Sequence, residues 1–70
     1  MKTVNVIESY QGLIQSLKAF PDNAEGNKQA EALFRANALE NGATEESVDA
    51  DIEDGVFARD GYILTLIHSS

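Results

Sequence analysis

The chain has no cysteine and no tryptophan, and only one proline, one methionine and one histidine. Without cysteine there is neither a disulfide staple nor a thiolate metal site. That suits a reducing compartment, and the cytoplasm is the expected location. The lone His68 would need a nucleophile or a carboxylate beside it to do chemistry, and no motif supplies one. Ser9, Ser16, Ser47, Ser69 and Ser70 lack the context of a nucleophile elbow. The five glycines are isolated, so there is no phosphate-cradling loop. Bases are scarce too: five Lys and Arg stand against twelve Asp and Glu, a formal charge of −7. Affinity for nucleic acid comes largely from Lys and Arg displacing counterions, so direct nucleic-acid binding is disfavoured. Anionic membrane is disfavoured on the same ground. Long apolar runs are also missing. Thr65 and His68 break the last one, so no segment can span a bilayer. The start, Met1 to Asn5, lacks the apolar run of a signal peptide.

What remains is a small globular domain. Of the 70 residues, 43% are hydrophobic, too many for a disordered tail. Residues 1–70 form one domain. A chain of this size buries only about 60% of its unfolded surface. Its core supplies no more than ~3–5 kcal/mol, and such chains often gain stability from dimerising or from a partner.

Residues 3–20 allow two readings. As a helix, Val6, Ile7, Tyr10, Leu13, Ile14, Leu17 and Phe20 recur at three- and four-residue spacing, with Pro21 as the stop. As a hairpin, Thr3–Tyr10 and Leu13–Phe20 flank a two-residue Gln11-Gly12 loop. The hairpin is favoured. Thr3, Val4, Val6 and Ile7 are β-branched, and Gly12 would cost a helix interior about 1 kcal/mol. In the simplest register Tyr10 faces Leu13, Glu8 faces Gln15, Val6 faces Leu17 and Val4 faces Ala19. Glu8 then stands as a carboxylate within an apolar face. A pKa-shifted acid there is one reading, and a place at the sheet rim is the plainer one.

Asp22–Asn41 reads as a helix that starts between Asp22 and Asn27 and stops at Asn41-Gly42. Lys28, Glu31 and Arg35 share its polar face. Ala30, Ala32, Leu33, Phe34, Ala36 and Leu39 spread around most of the rest. So wide an arc predicts contact on two sides, the sheet and a second helix or chain. A short helix over 44–54 follows, with Thr44 as N-cap, Glu45 and Glu46 in the first turn, and Gly55 as the stop. Val56-Phe57-Ala58 and Tyr62–Ile67 make a second hairpin around Arg59-Asp60-Gly61. Its last strand is apolar on both faces: Tyr62, Leu64 and Leu66 on one, Ile63 and Ile67 on the other.

The expected fold is therefore α+β: two layers in the order ββααββ, with a four-stranded antiparallel sheet and both helices on one face. That layout resembles small ββαββ proteins of bacteria and their phages, and the resemblance carries no residue. The sheet's other face is expected to show Ile7, Ile14 and Phe20, joined by Ile63 or Leu64.

The expected function is that of a small acidic, non-enzymatic protein-interaction module that self-associates as a homodimer. Tyr10, Phe20, Phe34, Phe57 and Tyr62 read as core or interface, since no Lys or Arg interleaves with them. One alternative rests on residues 45–60. Seven acids and one base there carry −6 of the −7. Glu46, Asp49, Glu53 and Asp54 would then face a basic protein surface, as in an acidic decoy that mimics nucleic acid, of phage or mobile-element origin. A second alternative is a weak divalent-cation site. Asp49, Asp51, Glu53 and Asp60 fall at positions 1, 3, 5 and 12 of a calcium-type loop. The loop's glycine is misplaced, since Asp54 holds position 6 and Gly55 follows. No cofactor is implied.

Overall fold

A computed structural model describes residues 2–69. Its elements are β1 (Thr3–Tyr10), β2 (Leu13–Pro21), α1 (Ala24–Glu40), α2 (Glu45–Asp54), β3 (Val56–Arg59) and β4 (Tyr62–Ser69). The four strands form one antiparallel sheet in the spatial order β2-β1-β4-β3. This is the expected ββααββ layout, and the hairpin reading of residues 3–20 holds.

Both hairpins close on two residues with positive φ: Gln11 and Gly12 (50° and 86°), then Asp60 and Gly61 (51° and 86°). Two left-handed residues give the turn whose twist matches paired strands. The turns lie side by side, with the Gln11 N–H donating to the Gly61 carbonyl at 2.8 Å.

The first hairpin departs from the simple register. A bulge between Glu8 and Ser9 shifts the pairing by one residue. Tyr10 still faces Leu13, but Glu8 faces Ser16, Val6 faces Lys18 and Val4 faces Phe20. One residue of slip exchanges the two faces of a strand. Phe20 therefore belongs to the helix side, packed against the core, and Leu17 to the open side. The expectation that Phe20 lies beside Ile7 and Ile14 is corrected on this ground. The two-residue Gln11-Gly12 turn is as expected, while Gln15 absorbs the extra residue that the alternation of apolar positions does not reveal.

Asn23 caps α1, its Oδ1 accepting from the Gly26 N–H at 2.7 Å. Gly26, Ala30, Phe34 and Ala38, four residues apart, form the buried stripe that lies on the sheet. The second side of α1 meets α2, where Arg35 binds Asp49 and lies 3.9 Å from Glu45. Ala32 and Ala36 are exposed. A capping box between Thr44 and Ser47 starts α2, and Gly55 ends it in the left-handed region. The core is Val4, Val6, Ala30, Phe34, Ala38, Val48, Tyr62 and Leu64. Leu66 is only half-buried, so the fully enclosed leucine of β4 is Leu64. The shortest Cα extent is 16 Å, which is one sheet and one helix layer with no third.

Candidate protein-interaction surface

Both helices lie on one side, so the other side of the sheet is bare. Register sets what it shows. Across the middle of the sheet, from β2 to β3, one row reads Leu17, Ile7, Thr65 and Val56. The row nearer the turns reads Ile14, Ser9, Ile63 and Ala58. On the other side lie Ala19, Asn5 and Ile67. Ile14, Leu17, Val56, Ile63 and Ile67 are each between 42% and 68% exposed. Ile7 is half-buried at their centre. Ile63 therefore completes this face, and Leu64 points the other way into the core.

A solvated sheet face normally alternates to charged and polar residues. Among the described residues, this one carries no charge at all. Every acid and base lies on the helix side, in a turn, or at the chain's start. The polar side chains at its centre are already engaged. Thr65 Oγ1 donates to the Ile7 carbonyl at 3.3 Å, Ser9 Oγ to the Ile63 carbonyl at 3.5 Å, and Asn5 Nδ2 to the Ile67 carbonyl at 3.3 Å. Burying a polar group is costly mainly when its hydrogen bond is lost. These three would keep theirs.

The acidic cluster lies elsewhere. Val48 and Ile52 turn α2 toward the core. At about 100° per residue, Glu46, Asp49 and Glu53 share one exposed strip on the flank of α2 that begins at the Arg35 contact, and Asp54 lies farther round, on the side away from the core. Asp49 and Asp51 are separated by roughly 200° of rotation, so Asp51 leaves the strip. Asp60 sits in the β3–β4 turn. Among the described residues, no three acids or histidines converge as a metal site would require. The cation-loop spacing is broken because a helix, not a loop, carries its first half.

Two further pairs of titratable side chains join separate strands or a strand to the start of α1. Glu8 lies on the helix side of β1, where its Oε2 accepts from the Tyr62 hydroxyl at 2.6 Å. Tyr62 also meets Phe57 edge to face, with ring centroids 6.3 Å apart. Burial first, then the bond to Glu8, raises the Tyr62 phenol above its ordinary value of 10.0. The fold thus favours the neutral phenol. Its stabilisation is complete below pH 10 and declines as pH rises beyond that. In a Tyr10→Phe chain, where Tyr62 is the sole tyrosine, tyrosinate absorbance should appear together with loss of circular dichroism above pH 10. Ionisation with the fold intact would show that Tyr62 is not enclosed. At the far end of the sheet, His68 Nδ1 lies 3.3 Å from Asp22 Oδ2. The Asn27 amide, and then His68, hold the Asp22 carboxyl below its ordinary value. His68 thereby ties β4 to the start of α1.

Compared with known proteins, the chain matches no family model, and no curated protein or solved structure is significantly similar to it. Among the described residues, no helix is long and apolar enough to cross a membrane.

Proposed function

We propose that this chain is a small acidic, non-enzymatic protein-interaction module that docks through the open face of its sheet. The observation that carries this reading is an uncharged face of Ile7, Ile14, Leu17, Val56, Ile63 and Ile67 on a chain of net charge −7. Isolated exposed hydrophobics are ordinary, but contiguous apolar patches of this extent mark interaction sites. Depletion of charge is the compositional signature of the centre of a protein interface. The site fits a polypeptide. Among the described residues this face carries no base to meet a phosphate, and its exposed side chains are apolar. A chain without cysteine suits work in the cytoplasm.

A second reading has its own observation, the Glu46, Asp49 and Glu53 strip with Asp54 beside it. It would make the chain a decoy for a basic surface. One experiment separates the two. The chain is immobilised and exposed to lysate of its own host, beside an Ile63→Asp variant and a variant with Glu46, Asp49, Glu53 and Asp54 replaced by Gln or Asn. The sheet-face reading expects bound protein to be lost with Ile63→Asp and kept with the neutralised cluster. The reverse pattern, with association slowed and its salt dependence flattened by neutralisation, would replace it by the decoy reading. Both variants should stay folded, because all five positions are exposed.

A further inference from the structure

We infer that the occupant of the open face is a second copy of this chain, packed sheet to sheet across a two-fold axis. This rests on the interaction-module reading and names its partner.

Charge selects the occupant. A basic partner finds nothing to pair with on a face without charged side chains, and an acidic one gains nothing there. An uncharged apolar surface is matched by another, and the one certain to be present at equal concentration is the same face of a second molecule. The geometry agrees. In face-to-face packing, twisted sheets keep their strand directions within about 30° of each other, and the side chains interdigitate. Two copies have the same twist by identity, so the fit needs no adjustment by either sheet. A two-fold axis makes the contact isologous and closed, which forestalls open-ended assembly.

Area agrees as well. Strands of eight, nine, four and eight residues, about 4.8 Å apart at roughly 3.3 Å per residue, make a face on the order of 450 Å². Two such flat faces bury on the order of 900 Å², and the relief of their protruding side chains brings the contact to the ~1,000 Å² that a specific interface needs. The central polar groups oppose this little, since Asn5, Ser9 and Thr65 already donate to carbonyls of their own sheet. Both helix layers and their acids then lie on the outside of the pair. Their mutual repulsion acts across two sheets and is screened by salt. The dimer should therefore tighten as salt rises, opposite to an association driven by complementary charge.

The test is sedimentation equilibrium from micromolar to about 0.5 mM protein, at low and high salt. The wild-type chain is expected to dimerise, with a dissociation constant that falls as salt increases. Ile63→Asp should raise that constant roughly a hundredfold or more, because each copy would bury an unpaired carboxylate. Leu17→Asp on the edge strand is the second variant, since it keeps the test usable should the first fail to fold. Ala32→Asp on the exposed side of α1 should leave the dimer intact. In a sample mixing labelled and unlabelled chains, intermolecular contacts should join methyl groups of Ile7, Leu17 and Ile63.

A wild-type chain that stays monomeric at 0.5 mM and high salt would overturn the inference. The interaction-module reading would then be judged separately by the Ile63→Asp capture experiment. A dimer that survives both Leu17→Asp and Ile63→Asp would also overturn it. So would one whose contacts are confined to the β2 backbone, which would mean pairing through strand edges.

Discussion

Leu64→Ala is expected to leave the chain unfolded at physiological temperature. Leu66→Ala, two residues further along β4, is expected to leave it folded with a lowered melting temperature. Leu64 has no exposed surface and sits among Val4, Val6, Phe34 and Val48, between Glu8 on β1 and Phe57 on β3. Truncating a buried leucine typically costs ~2–5 kcal/mol. The whole stability expected of a chain this size, without disulfides or metal, is only ~3–5 kcal/mol. The cavity alone can therefore exceed what holds the fold together. Leu66 packs against the same core but keeps part of its surface in water, so less apolar contact is lost. Thermal melts by circular dichroism at one fixed protein concentration decide the matter, since a dimer would make melting concentration-dependent. A Leu64→Ala chain melting within a few degrees of wild type would mean that the core is not where these eight residues place it.

That contrast shows where a sequence can be read and where it cannot. The period-2 pattern of Tyr62 to Ile67 put Tyr62, Leu64 and Leu66 on one face and Ile63 and Ile67 on the other, and the sheet keeps that division. Alternation says which side a residue faces. It does not say how far the covering helix layer reaches, so Leu64 and Leu66 looked alike. The second helix is legible through its caps, since Thr44 and Gly55 have clear local chemistry, whereas the start of the first is confined only to Asp22–Asn27 and the fold selects Asn23. The β1–β2 register was not. In the simple register Val4, Val6, Leu17 and Ala19 align, and nothing local contradicts it except Glu8 opposite Gln15. The oddity of that pair was the available signal. The bulge removes it by setting Glu8 beside Ser16, while the unshifted pairing of β1 with β4 brings Glu8 to Tyr62, a partner 54 residues away. Only the tertiary bond explains why a carboxylate belongs there. The open face follows from the same slip. Ile7 and Ile14 are readable from the pattern and Ile63 only as an alternative to Leu64, whereas exchanging Phe20 for Leu17 requires the bulge. The carbonyl bonds of Asn5, Ser9 and Thr65 reach across strands, and no local motif marks them.

Gly26→Ala is expected to destabilise the chain by about 2–3 kcal/mol or more, against the trend for a helix. Alanine is favoured over glycine within a helix by roughly 1 kcal/mol, so propensity alone predicts a gain. Space decides otherwise. The first turn of α1 crosses the end of β2 so closely that a Cβ at Gly26 would stand 1.8 Å from the Pro21 carbonyl oxygen and 2.8 Å from its carbon. Both are backbone atoms, and no rotamer change relieves them. That carbonyl also accepts from the Asn23 N–H at 2.9 Å, so moving it disturbs the cap as well. Losing the cap would add about 1 kcal/mol. Gly12→Ala is the control. Its φ is +86°, yet a Cβ there meets nothing within 4 Å. Its loss should be confined to the roughly 1–2 kcal/mol of a left-handed backbone. Urea denaturation of both variants should therefore rank Gly26→Ala as the more damaging. Equal stability of Gly26→Ala and wild type would show that α1 stands farther from β2 than its first turn requires. The distance matters because α1 is what separates a sheet with one open face from a sheet with two. A helix pushed off Pro21 would uncover Val4, Val6 and Phe20, and the variant should aggregate through that newly exposed side as well as through the face of Ile7 and Ile63.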